Sequence, residues 1–358
     1  MALENVIARK LAPGFKKPVF ERGAKAIFKP AMIETADKLA TTATGGIPEL
    51  LAKVQAAAKG FDGHVVANMP GVMAGGNHVA GLQQLYTQLA DKAVATIDPQ
   101  LDEQLGKLQL AALTEKAHLL PDDHPLTSYL QGVVDRTAGP DAKYPFKVHV
   151  LETDEANAFN AGGSTMVVYT GLFKTVKSEA ELAGILGHEM THGDNRHVMK
   201  KVVSQSFSAT ADAWHSAQHP LVQGEGFFGK AKALIQNTKT SAQLIAFKEN
   251  NFEAVRNMQR GLEAEADAGG ARRMAGAGYD PHGLSAWFQR MEGEEKQGSH
   301  GLNGLLSGFM NDHPTSVQRV AAVEGQIKQE GLDRTAKETG VAPYLAATQA
   351  YQPVPKTA

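Results

Sequence analysis

Five consecutive residues, His188-Glu189-Met190-Thr191-His192, restrict this chain more than any other feature. Histidines spaced i, i+4 share a face only when the run is α-helical, where they stand about one turn apart. Both imidazoles can then reach one metal ion, with the Glu189 carboxylate beside a water held there. A start signal for such a helix is present, because Ser178 and Glu181 form a Ser-x-x-Glu capping box. Leu182, Ile185 and Leu186 precede the run at helical spacing and predict a half-buried helix extending towards Lys201. Two unpartnered histidines and a glutamate would be costly on a half-buried face, so a chance match on a solvated helix is the weaker reading. The chemistry that fits is hydrolysis: zinc lowers the pKa of a bound water to about 7, and the glutamate takes its proton during attack on a carbonyl.

A catalytic zinc usually keeps three protein ligands and one open position. The run Glu263-Ala264-Glu265-Ala266-Asp267, on a later helical stretch, offers the third. Glu263 and Asp267 are again i, i+4. Glu263 can bind the metal while Asp267 accepts a hydrogen bond from the second ring nitrogen of a ligating histidine. Glu265 points elsewhere on the helix and is expected to be solvated. The alternative is that this acidic cluster pairs with Arg260, Arg272 and Arg273.

The rest of the chain frames these two helices. Its 358 residues are 42% hydrophobic and 21% charged, with a net charge of −2, so no nucleic-acid footprint is present. Without cysteine, thiolate metal sites and thiol nucleophiles are excluded. No stretch approaches the roughly 20 apolar residues that span a bilayer, and no secretory signal is visible. The expectation is therefore a soluble, cytoplasmic protein. Residues 1–100 read as an Ala-rich helical region of unknown role, residues 101–335 as the metal-bearing domain, and 336–358 as a poorly structured tail. Basic residues from Arg9 to Lys29 outnumber acidic ones, which fits a solvated arm or one that docks on a membrane surface or partner. Phe146–Leu151 and Met166–Thr170 read as strands. Residues 203–250 read as helical with a break near Gly224–Gly229, followed by a separate helix from Asn251 to Met274.

Taken in order, these motifs resemble one known family. The runs Ala156-Asn157-Ala158-Phe159, Gly162-Gly163, Tyr169-Thr170-Gly171-Leu172, Ser178–Ala183, His188–His192 and Arg196-His197 are similar to those of the HtpX-like and BepA-like gluzincin zinc metallopeptidases, relatives of the CaaX prenyl protease. So are Glu263–Asp267, Ala277–Pro281, His313-Pro314 and Arg319. The resemblance spans about residues 120–325. It implies an α+β, mostly α, zincin-type fold in which a small mixed sheet lies beside two zinc-bearing helices, with the N-terminal helical region added. It also implies a metalloendopeptidase holding one zinc ion through His188, His192 and Glu263, with Glu189 as base, Asp267 orienting a histidine, and protein or peptide substrates. The membrane-spanning segments of the HtpX and prenyl-protease branches are absent, and residues 1–100 match nothing in the family.

Further residues carry secondary expectations. As the resemblance implies, Met166–Thr170 would be an edge strand that pairs with an extended substrate backbone. His313 would act as a reversible fourth ligand or a transition-state donor, or else pack at a helix start. Arg319 would bind substrate carbonyls or pair with acidic neighbours. His197 is expected to hydrogen-bond on the metal helix rather than bind metal. Trp214, Phe227 and Phe228 are expected to make core contacts rather than anchor the chain to a membrane. Peripheral membrane contact stays open as a partner class. Two other functional classes remain compatible: a zinc-binding chaperone or adaptor with little turnover, and a zinc-free scaffold.

Overall fold

The computed structural model describes residues 46–115, 117–296, 317–334 and 338–352. Four helices come first: α1 (Gly46–Lys59), α2 (Asp62–Ala74), α3 (His78–Ala95) and α4 (Gln100–Thr114). A short strand β1 (His118–Leu119) and helix α5 (Pro125–Ala138) lead into β2 (Lys147–Glu152), β3 (Ala158–Gly162) and β4 (Thr165–Tyr169). Then follow α6 (Glu179–Asp194), α7 (His197–Gln218), α8 (Gly226–Gly276), α9 (Gly283–Lys296), α10 (Val317–Glu330) and α11 (Val341–Thr348). The result is mostly helical with one small mixed sheet, as the sequence led us to expect.

The four strands lie in the order β1-β2-β4-β3, with β2 and β4 parallel and the other pairs antiparallel. Alternation along β4 divides its side chains between two cores. Met166 and Val168 join Val148, Leu182, Ile185 and Trp287 on one side, and Val167 and Tyr169 join Leu113 of α4 on the other. The sheet is thus packed between α4 and the pair α5 and α6. This order corrects the reading of Met166–Thr170 as an edge strand, because β4 has a neighbour on each side. The edge beside α6 is β3. Helices α1, α2 and α3 share a second core with α7 and α8, in which Tyr86, Leu89, Phe207, Phe247 and Met258 are buried.

Three helix limits differ from the sequence reading. The Ser178 hydroxyl accepts from the Glu181 N–H at 3.2 Å, so α6 starts where the capping box places it. It stops at Asp194 rather than near Lys201, because Arg196 adopts φ 53°, ψ 40°. A left-handed arginine costs on the order of 1–2 kcal/mol. Here the guanidinium, bound to the Asp102 carboxylate and the Val94 and Ile97 carbonyls at 2.5–2.8 Å, holds that conformation in place. Next, α8 is one helix of 51 residues rather than two segments. Its midpoint asparagine, Asn251, is satisfied by Tyr86, Ser208 and Asp212 and breaks nothing. The segment from Val341 is also ordered as a helix, because Tyr344 is fully buried and donates to the Phe173 and Val176 carbonyls at 3.2 and 3.0 Å. Just before it, the carbonyls of Thr339 and Gly340 accept from the first N–H groups of α6.

Candidate metal centre

Helices α6 and α8 pack with unusually little between their backbones. A Cβ on Gly187 would come within 3.2 Å of Gly270, and one on Gly269 would collide with Thr191. This close approach lets a glutamate on α8 reach two histidines on α6. His188 Nε2 and His192 Nε2 stand 3.0 Å apart, and Glu263 lies 3.4 Å from the first and 3.5 Å from the second. Among the described residues, these three form the cluster of histidine and acidic groups close enough to share one ion. Ligands about 2.0–2.1 Å from a tetrahedral zinc stand about 3.3 Å apart, so the donor set and its spacing fit such an ion. All three side chains are buried, and Lys201 Nζ lies 3.4 Å from Glu263 Oε1.

Each imidazole is gripped through its other nitrogen, by different means. His188 Nδ1 meets Asp267 Oδ1 at 2.9 Å. Asp267 in turn receives a two-pronged contact from Arg319, at 2.8 and 2.6 Å. Burial alone would drive His188 towards its neutral form. The hydrogen bonds it donates to Asp267 and Glu263 outweigh that and raise its pKa to about 9. Burial likewise opposes ionisation of Asp267, but Arg319 and His188 overcome it and hold the carboxyl below its usual range. His192 Nδ1 meets His197 Nδ1 at 2.8 Å, and His197 Nε2 lies 3.2 Å from Glu265 Oε2. Burial pushes both His192 and His197 below the usual histidine range, despite the nearby carboxylates.

Glu189 is fixed from the sheet side. The backbone N–H of Asn160 on β3 donates to Glu189 Oε2 at 2.8 Å. A register shift between Asn160 and Gly162 re-aims that N–H, and the Asn160 side chain braces the bulge by bonding Gly162 N and Gly163 O. Gly193, one residue past His192, allows this contact, since a Cβ there would lie 2.7 Å from Asn160 Nδ2.

The structure thus brings together His188, Glu189, His192, Glu263, Asp267 and Arg319. Arg319 is engaged with Asp267, and its guanidinium also stacks 4.4 Å from the Phe288 ring centre. The salt bridges of Arg260, Arg272 and Arg273 are made with Glu253, Glu330 and Asp194 rather than with the acidic run. His197 hydrogen-bonds on the metal-helix side as expected. Glu265 is exposed, as expected, and also closes the chain from His192, while Asn195 donates to it at 2.8 Å. Asn160 is the residue that sequence reasoning missed, because its contribution is a backbone N–H. His313 lies outside the described residues.

Residues 122–327, more than half of the chain, match peptidase family M48. The chain belongs to this family. The mitochondrial metalloendopeptidase OMA1 of Schizosaccharomyces pombe is 28% identical over 222 residues, covering 60% of this chain and 58% of that protein. The beta-barrel assembly-enhancing protease of Yersinia pestis is 24% identical over 322 residues, 79% of this chain and 64% of that protein. Its Escherichia coli K12 counterpart is 24% identical over 245 residues, 67% and 47% respectively. The chain therefore spans about half to two thirds of the length of these relatives. Helices α6 and α8 and Arg319 fall within the M48 match, whereas α1 to α4 precede it. Among the described residues, no helix is long and apolar enough to cross a membrane.

Proposed function

We propose that this M48 chain is a zinc-dependent metalloendopeptidase that hydrolyses peptide bonds in proteins or peptides. The observation that carries the reading is the convergence of two imidazole nitrogens and one carboxylate within 3.0–3.5 Å of one another, beside a glutamate on the same helix. The names of the relatives, metalloendopeptidase and protease, support the same class of chemistry.

His188 Nε2, His192 Nε2 and Glu263 would hold the ion. When bound, zinc supplies positive charge that polarises a carbonyl and makes water nucleophilic near neutral pH. Holding the ion requires both Nε2 lone pairs to point inward, so each Nδ1 must carry the proton. His188 Nδ1–H then donates to Asp267. His192 Nδ1–H donates to His197, whose Nε2–H donates to Glu265, giving a tautomer chain in which every proton has an acceptor. Arg319 keeps Asp267 ionised and so positions His188. With Oε2 of Glu189 fixed by the Asn160 N–H, we assign proton transfer to Oε1. That oxygen takes the proton from the attacking water and hands it to the leaving amine.

The deciding experiment is Glu189→Gln. The variant should keep about one zinc per chain while peptide cleavage falls about 10²–10⁴-fold. Wild-type cleavage by the variant would overturn the mechanism. A wild-type protein that carries zinc and cleaves no peptide would point to a zinc-binding chaperone or adaptor instead.

A further inference from the structure

One arm of the molecule leaves apolar side chains in solvent. Between Phe228 and Ala246 on α8, Thr240 is the single buried residue. On this arm Phe228, Leu234, Ile235 and Ile245 are 86%, 69%, 62% and 59% exposed, and Leu221 in the preceding loop is 61% exposed. These are five of the eight large hydrophobic side chains exposed among the described residues, so they form a cluster rather than scatter. The exposure of Phe228 overturns its expected place in the core. Trp214 does pack against the second core, and the Phe227 side chain lies outside the described set.

At 3.6 residues per turn, Leu234, Ile235, Ile245 and Phe228 fall within an arc of about 120°, which Ala231 and Ala242 fill. Lysines border it: Lys232 and Lys239 on one side, Lys230 and Lys248 on the other. From Gly226 to Lys248 there is no aspartate or glutamate, although the whole chain carries a net charge of −2. The loop that carries Leu221 is clamped to the same helix, since Val222 N and O bond the Asn237 side chain at 2.9 and 3.0 Å.

We propose that this arm is a peripheral docking face for an anionic lipid surface. An apolar stripe flanked by lysines suits the headgroup boundary, where the lysine stems lie along the apolar layer and their ammonium groups meet phosphates. A second copy of the chain is disfavoured on charge, because joining two such faces would bring Lys230, Lys232 and Lys239 of each together in a stretch that carries no acidic residue. Spanning is disfavoured by the same polar residues. The face lies at the far end of the helix that carries Glu263 and Asp267, so docking would fix the orientation of the metal centre relative to the bilayer. The inference does not depend on the proposed hydrolysis.

The test is co-sedimentation of the full chain with vesicles of phosphatidylcholine alone, or with about 30% phosphatidylserine. Binding is expected to the anionic vesicles only and to weaken with salt. A triple change, Lys230→Gln, Lys232→Gln and Lys239→Gln, should lower partitioning at least about tenfold, as should Leu234→Gln with Ile235→Gln. Both sets alter exposed positions, so unchanged thermal midpoints and unchanged peptide cleavage in solution are expected. No binding to anionic vesicles, or equal binding by wild type and both variants, overturns the proposal. So does self-association that the same variants abolish in the absence of vesicle binding, which would assign the face to a second copy.

Discussion

Two buried polar clusters lie along α8, about 18 Å apart by helical rise, and they are built on opposite principles. At Glu263 and Asp267 every buried charge faces an opposite charge or a donor fixed by another element. At Asn251 the side chains are joined by neutral groups: Tyr86 donates to Asn251 at 2.6 Å, and Asn251 donates to Asp212 at 2.8 Å. The acids respond in opposite directions. Arg319 and His188 hold the Asp267 carboxyl below its usual range against the effect of burial. Burial raises Asp212 to about 6, because the Asn251 amide and, more weakly, the Lys248 charge offset it only in part. Burial alone therefore does not set the charge state of an acid packed in these clusters; the identity of the partner does. One cluster keeps its acids ionised through opposite charges, and the other ties α3, α7 and α8 together with an acid that is half-neutral near pH 6.

Removing a ligand should break the first cluster most completely. Glu263→Ala or His192→Ala is expected to reduce bound zinc from about one per chain to almost none, read by metal analysis of protein purified without added zinc. Retention of stoichiometric zinc by both variants would show that the ion sits elsewhere. Arg319→Ala comes next. It strands a buried carboxylate, which typically costs about 3–5 kcal/mol and should lower the denaturant midpoint well below that of wild type. A change within about 0.5 kcal/mol would mean that Asp267 does not depend on Arg319.

The two supports of the histidines provide a finer contrast. Asp267→Asn should weaken zinc binding about 10–100-fold, measured by competition with a chromogenic chelator. Glu265→Gln should weaken it less, because Gln can still accept from His197 and because the Glu265 side chain is 48% exposed. Equal losses would mean that the longer chain through His197 orients its imidazole as firmly as the direct carboxylate does.

The smallest effect belongs to the second cluster and is visible in its pH dependence. As pH rises from about 4 to about 6, the unfolded chain releases the Asp212 proton before the folded chain does, so stability falls across that window. Asp212→Asn keeps an acceptor for Asn251 and removes the titration. It should be near neutral at pH 4 and stabilising by about 2 kcal/mol above pH 6, read from denaturant midpoints. A stabilisation independent of pH would show that Asp212 is not the titrating group. For Asp267 the sign is reversed: its contribution is present above pH 4 and is lost as pH falls through its depressed value.

Much of the metal centre was legible in the chain because helical spacing is a local property. His188, His192, Glu263 and Asp267 follow from two i, i+4 pairs, and the start of α6 follows from Ser178 and Glu181. The support from His197 and Glu265 was half legible: His197 sits five residues from His192, but which residue it met in turn depended on how α8 lies against α6. Asn160 left no chemical signature, because a backbone N–H is carried by nearly every residue. The strand order reversed one reading, placing β4 inside the sheet and β3 at its edge, since alternation reports burial and not which neighbour supplies it.

By itself the sequence determined the donor types, their helical spacing and the start of the capped helix, all of which are settled within one or two turns of chain. Only the tertiary structure decided that glycines on α6 and α8 allow two backbones to approach closely enough for Glu263 to meet both imidazoles. It also decided that Arg196 ends the metal helix by reaching carbonyls about a hundred residues earlier, and that Arg319 serves Asp267. The physical reason is the same in each case. A contact between distant segments has no period in the chain and exists only where packing brings two surfaces within hydrogen-bonding distance.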